Sequence, residues 1–279
     1  MLPPLKTNWN KLRRGALNEA LEKLEQAFIA HDIDFYLVGA FARDVWISHL
    51  EHLPVRRKTL DVDFAIYIRN HADFADLKQY LVHVHGFIAN KEPYRLTTGD
   101  GFMFDLIPFG GIEQNEEVFL EGNPPVELSV LGTKEVTREA VIVKNKFKVV
   151  TLPGLCILKL IAYSQKPDGR AKDLQDFYYL LENYFDIAGE TLYEGKYLDL
   201  LEDDYVTEYA AARMMGRQMS AIIQDNPVLV TMIQSTLQSK ISRFTNMEID
   251  QMIEMNGKKD PQVLRLKLIS EVLKGLHEV

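Results

Sequence analysis

The sequence predicts an α+β fold: a mixed sheet flanked by helices, followed by an α-helical C-terminal domain. Three observations carry this. Short apolar or alternating runs with strand character are interleaved with helical-period stretches through the first half of the chain. From Thr151-Leu152-Pro153 onward the pattern becomes almost wholly helical. The 279 residues, 47% hydrophobic and 26% charged, suffice for one large domain or two small ones with a sizeable core. The expected division is an α/β domain with an N-terminal helix over 1–151 and a helical domain over 152–279.

Residues 11–31 read as an amphipathic helix, with Leu21, Leu24 and Phe28 at helical spacing and Glu22, Lys23 and Glu25 between them. Phe35-Tyr36-Leu37-Val38 is a short apolar run that ends at Gly39, a buried strand. Ala40 to Leu50 reads as a helix, and Glu51 to Lys58, with Pro54 and three consecutive cations, as a loop. Leu60 to Ile68 alternates as a strand does: Leu60, Val62, Phe64 and Ile66 on one face, Asp61, Asp63, Ala65 and Tyr67 on the other. Phe74 to Val84 reads as a helix. Tyr94–Thr97 and Phe102–Ile107 read as paired strands joined by Thr98-Gly99-Asp100-Gly101. Val126-Glu127-Leu128, Ala140–Val143 and Phe147–Val150 are further strand-like runs. Pro153 suits the first turn of a helix.

Charge and segment pattern narrow the function. The net charge of −8 argues against broad, nonspecific nucleic-acid binding, although a local basic cleft or recognition of an exposed end stays open. Cys156 is the single cysteine, so no intrachain disulfide forms. The N-terminal stretch lacks the apolar core of a signal peptide, and the longest apolar run, near Leu155 to Tyr163, is too short for a membrane span and holds Lys159. A cytoplasmic protein without membrane partners is expected.

The chemistry centres on Thr59-Leu60-Asp61-Val62-Asp63-Phe64. On a strand, residues i and i+2 share a face, so Asp61 and Asp63 present two carboxylates side by side. Such charges repel unless a cation lies between them, and Mg²⁺ is the usual one where phosphates are handled. A bare Asp-x-Asp is equally the acidic outer face of an edge strand. Two further features favour the metal. At Leu37-Val38-Gly39-Ala40 a strand breaks at glycine into a helix, whose N-terminus can receive a phosphate. In Phe104-Asp105-Leu106-Ile107 a lone carboxylate sits in an apolar strand, where burial is costly. If that strand neighbours the first, Asp105 completes a triad for two ions, Mg²⁺ or Mn²⁺, with a nucleoside triphosphate as substrate.

The ordered set Gly39-Ala40, Asp61-Val62-Asp63 and Asp105 resembles the DNA-polymerase-β-like nucleotidyltransferase superfamily over residues 33–110. Leu37–Asp44, Lys58–Phe64 and Leu152–Leu160, followed by Arg170–Asp176, resemble more particularly the AbiEii/AbiGii-type toxin nucleotidyltransferases over residues 33–185. The resemblance implies a nucleotidyltransferase-type sheet and a helical domain that completes the nucleotide cleft. It also implies phosphorus-containing group transfer to a hydroxyl of RNA or protein, and a cognate antitoxin. Ala40 departs from the superfamily's Gly or Ser. It offers no hydroxyl to a phosphate, which alters nucleotide contacts more than it removes activity. Residues 51–58 read as an insertion.

Arg43, one helical turn after Gly39, and Arg57 and Lys58 in the basic loop are candidate nucleotide contacts; a solvated loop is the plain alternative. Gly39–Asp44 also resembles the turn of tRNA CCA-adding and poly(A) polymerases, which keeps tRNA or another RNA 3′ end among the acceptors. Lys159 interrupts an apolar helix. It either snorkels to the surface or, as the resemblance implies, points into a cleft and neutralises triphosphate charge. Asp173 and Asp176 share a helix face at i and i+3, and Lys172-Asp173 is expected to support Lys159 or touch the nucleotide. An ordinary acidic helix N-terminus is the alternative. His83-Val84-His85 diverges on a helix, Cys156 reads as a core thiol, Phe177-Tyr178-Tyr179 reads as core, and Phe109-Gly110-Gly111 reads as a turn. The competing functions are a small-molecule, antibiotic-type nucleotidyltransferase and a non-catalytic nucleotide-binding module.

Overall fold

A computed structural model describes residues 15–48, 50, 53, 61–144, 146–201, 205–256 and 260–278. The chain divides into two compact units that meet at Thr151/Leu152.

The first unit is built on a seven-stranded sheet in the order β3-β4-β5-β2-β1-β9-β8. Its central strands are β1 (Phe35–Val38), β2 (Asp61–Ile68) and β5 (Met103–Gly110). β2 runs antiparallel to β1 and parallel to β5. On the far side of β5 lie β4 (Arg95–Thr97) and β3 (Ile88–Ala89), both in antiparallel pairs. On the far side of β1 lie β9 (Phe147–Val149), parallel to it, and β8 (Val141–Lys144).

One face of the sheet is closed by α1 (Ala16–Ala30), whose Leu17, Leu21, Leu24 and Phe28 are buried at i, i+4, i+7 and i+11. Phe28 meets Phe35 and Phe64 at centroid distances of 4.7 and 5.6 Å, and Phe35 meets Phe147 at 5.3 Å. This aromatic cluster fixes the faces of β2. Val62, Phe64 and Ile66 are fully buried, so Asp61 and Asp63 point the other way. The one stretch of the expected N-terminal helix before Gly15 lies outside the described residues.

The helix after β1, α2, runs Gly39–Ile47 and so starts and ends earlier than the expected 40–50. Trp46 Nε1 donates to Val150 O at 2.8 Å, tying α2 to the strand end of β9. α3 (His71–His83) follows β2, with Asn70 capping Asp73 N. The β4–β5 hairpin forms as its turn chemistry predicts, with Gly101 N bonded to Thr98 O. β5 continues through Gly110, where a turn was expected. Eight residues pair in register with β2, and a Cβ at Gly110 would lie 2.4 Å from the Tyr67 ring, so glycine lets the strand run on.

Three elements lie outside the expectations drawn from sequence. They are β3, β6 (Glu117–Leu120) and α4 (Thr133–Arg138). β6 pairs with β7 (Val126–Ser129) in a separate two-stranded sheet.

The second unit is helical: α5 (Leu152–Gln165), α6 (Ala171–Glu182), α7 (Tyr184–Ala188), α8 (Thr207–Ile223), α9 (Pro227–Ile241), α10 (Asn246–Asn256) and α11 (Pro261–His277), with two 3₁₀ turns between α7 and α8. α8 and α11 cross closely at Gly216 and Gly275. A Cβ on Gly216 would meet Val272 O at 2.1 Å, and one on Gly275 would meet Arg213 O at 2.1 Å. No helix among the described residues is long and apolar enough to cross a membrane.

Candidate active site

Register assembles the candidate site. Val38 on β1 lies beside Asp63 on β2, Asp63 beside Asp105 on β5, and Asp105 beside Arg95 on β4. Pairs directly opposite share a face, so these four residues form one row across four strands. Asp61 stands one pleat away on the same face, next to Met103. Adjacent strands are about 4.8 Å apart, which brings the Asp63 and Asp105 carboxylates alongside each other.

The row begins at the Gly39 turn. Gly39 adopts φ +66°, a left-handed conformation that side chains disfavour. A Cβ there would lie 2.0 Å from Asp63 Oδ2 and 2.9 Å from its Cγ. Glycine is therefore required twice, by the backbone and by the carboxylate packed against it. α2 has no side-chain cap on its N-terminus and no acidic residue in its first turn. The carboxylate nearest this turn is therefore that of Asp63, from the neighbouring strand. Ala40 contributes no hydroxyl. Arg43 is buried, and its Nε and Nη2 donate to Asp44 Oδ1 at 3.0 and 2.8 Å, so its charge is met inside α2.

The far end of the row belongs to a residue the sequence reading passed over. Arg95 donates through Nε to Asp105 Oδ1 at 2.6 Å and through Nη2 to Asp105 Oδ2 at 2.7 Å. This bidentate contact raises the Arg95 pKa, chiefly through the hydrogen bond to Asp105. The signal was present: in a hairpin that pairs Thr97 with Met103, position 95 falls opposite 105.

The donor set suits a hard divalent cation, being carboxylate oxygen throughout. Asp61 Oδ1 is buried without a hydrogen-bond partner among the described residues. A buried acceptor left unpaired costs about 1–3 kcal/mol, so it calls for a ligand. The residues fit a metal at Asp61 and Asp63. Among the described residues no three carboxylate, imidazole or thiolate groups are already gathered as a metal cluster, and both Asp105 oxygens face Arg95. Arg57 and Lys58 lie outside the described residues.

In the helical unit, Lys159 Nζ lies 2.7 Å from Asp173 Oδ1 and 3.0 Å from Asp176 Oδ2. The i, i+3 spacing on α6 thus delivers both carboxylates to one lysine. Burial alone depresses the Lys159 pKa, but Asp173 and Asp176 outweigh it and the net shift is upward. Arg170 approaches the other Asp173 oxygen at 3.5 Å. Lys172 is exposed on the α6 first turn, apart from this cluster. Cys156 is fully buried, and burial pushes its thiol pKa up. His83 closes α3 on Gln79 O while the His85 ring packs on Tyr80, so the two imidazoles make separate local contacts. Phe177, Tyr178 and Tyr179 are buried.

The first unit thus joins a mixed sheet, a glycine-broken strand–helix turn and an Asp-x-Asp strand beside it. The family described as nucleotidyl transferase AbiEii toxin, type IV toxin–antitoxin system, matches residues 22–254, and the chain belongs to that family. Among solved structures, the solution structure of the antibiotic-resistance factor ANT(2'')-Ia is similar, with 13% identity and a TM-score of 0.34 over 71% of this chain and 96% of that one. No curated protein matches the chain.

Proposed function

We propose that the protein is a divalent-metal-dependent nucleotidyltransferase that moves NMP from an NTP to a hydroxyl acceptor, and that it acts as the toxin of a toxin–antitoxin pair. The observation that carries the metal reading is the buried Asp61 Oδ1, unpartnered among the described residues, on the same face as the Asp63–Asp105 pair. Asp61, Asp63 and Asp105 would hold Mg²⁺ or Mn²⁺, two ions in the full site. Bound there, the ions would supply charge that offsets the triphosphate, lowers the pKa of the acceptor hydroxyl and stabilises the departing pyrophosphate.

The chain's own groups do the remaining work. Gly39 lets the Asp63 carboxylate sit against the α2 turn, at the helix N-terminus where a bound phosphate would also be favoured. Lys159 is paired with both Asp173 and Asp176, so its charge is met within the helical unit. Arg57 and Lys58, in the basic segment of the sequence before the Asp61 strand, are assigned contacts with triphosphate or acceptor on their position in the chain. The acceptor we favour is an RNA 3′ end, given the likeness of Gly39–Asp44 to the turn of RNA-extending enzymes.

The test is incubation with Mg²⁺ and each labelled NTP, with and without total RNA. Label on RNA supports this reading. Label on the protein moves the acceptor to a polypeptide, and label on neither, with transfer to a small hydroxyl compound, favours the antibiotic-type alternative. Asp63→Asn should abolish transfer and growth arrest while the circular dichroism spectrum is unchanged. Full activity in Asp63→Asn, or transfer that resists EDTA, overturns the metal assignment.

A further inference from the structure

We propose that Arg95 is a positioning residue that acts as an exchangeable counter-cation for Asp105, holding that carboxylate until a divalent metal takes its place. The inference rests on the reading of Asp61, Asp63 and Asp105 as the metal carboxylates.

The row carries an uneven distribution of charge. Asp63 and Asp105 are neighbours on parallel strands, and two like charges at paired positions repel. Arg95 offsets this from one end only, with both of its contacts on Asp105. At the other end Asp61 Oδ1 has no partner among the described residues. One carboxylate is thus doubly satisfied and another is left open. A metal brought onto Asp105 would meet the positive guanidinium across the same carboxylate, so the two cations compete for it electrostatically.

The pair is also accessible. The Arg95 side chain is 28% exposed and that of Asp105 is 13%, so an incoming cation reaches them without unpacking the core. Arg95 sits on β4, a three-residue strand, and not on the core strands β2 and β1. A guanidinium stays charged at every working pH, so it competes with metal throughout. Its removal should therefore strengthen the binding of free metal, whereas loss of a merely structural contact would weaken it.

The probe is Mn²⁺ without nucleotide, its free concentration read by electron paramagnetic resonance against the intact wild-type, Arg95→Met and Asp63→Asn proteins. Arg95→Met should bind Mn²⁺ about tenfold more tightly than wild type, the change that one lost charge-assisted hydrogen bond corresponds to. Arg95→Gln, which keeps a neutral donor to Asp105, should shift the same way and serves if the methionine variant does not fold. Affinity that is unchanged or weaker in the folded Arg95 variant, with Asp63→Asn still impaired, overturns the counter-cation role and leaves the metal reading standing. Mn²⁺ binding that is absent from wild type, or equal in Asp63→Asn, overturns both.

Discussion

Replacing Gly39 by alanine tests whether the backbone of the strand–helix turn and the Asp63 carboxylate form one unit. Two costs arise. The first is conformational: at φ +66° a residue with a Cβ pays about 1–2 kcal/mol for the left-handed region. The second is steric. The new methyl would lie 2.0 Å from Asp63 Oδ2, 2.9 Å from Cγ and 3.1 Å from Cβ, and all three atoms belong to one short side chain. Non-bonded heavy atoms settle at about 3.5–4 Å, so the carboxylate must swing away by more than about 1 Å. It cannot be relieved through a flexible tail, as a lysine could, because Asp63 has only two side-chain torsions and its strand is paired on both sides. A misplacement of about 1 Å in a reacting constellation costs on the order of 100-fold in rate. Gly39→Ala should therefore lose about 2–3 kcal/mol of stability in urea unfolding and about 100-fold or more of NMP transfer. The stability loss is partial, so the folded variant can be assayed. A Gly39→Ala protein with wild-type stability and transfer would refute the argument, since it would show that the turn accommodates a side chain without moving Asp63.

Two further outcomes follow from the helical unit. Gly275→Ala places a methyl 2.1 Å from Arg213 O and about 3 Å from the Arg217 backbone N, where backbone has to move, so the α8–α11 crossing should open at a cost of about 1–3 kcal/mol; an unchanged thermal midpoint would count against the close crossing. Lys159→Met leaves Asp173, 8% exposed, without its nearest cation and should destabilise the protein by about 3 kcal/mol in urea titration. Because the folded Lys159 pKa is raised above the unfolded value near 10.4, its contribution is complete below that pH and is lost only as pH rises through the folded value. The gap between wild type and Lys159→Met should thus be equal at pH 7 and pH 9, and a gap that closes by pH 9 contradicts the ion-pair account.

Much of the architecture was legible because each signal was local. The alternation over β2, the break at Gly39 and the turn at Thr98–Gly101 each depend on a few adjacent residues, and the period-2 rule puts Asp61 and Asp63 on one face whatever surrounds them. The same holds for Asp173 and Asp176 on α6, where helical spacing alone aligns them for a common partner. β3, β6 and α4 were not legible: β3 has only two residues, both exposed, and β6 pairs with β7 in a sheet apart from the main one.

By itself, then, the sequence determined the sheet-then-helices order, the pairing of carboxylates on β2 and the break from strand to helix at Gly39. Only the tertiary structure decided that β5 lies parallel to β2 with Asp105 opposite Asp63, and that Arg95 occupies both Asp105 oxygens. The physical reason is range. Periodicity states which face a residue takes, but strand order and register depend on contacts between segments some 40 residues apart, and there the aromatic core of Phe28, Phe35, Phe64 and Phe147 chose the arrangement that left the acidic face open.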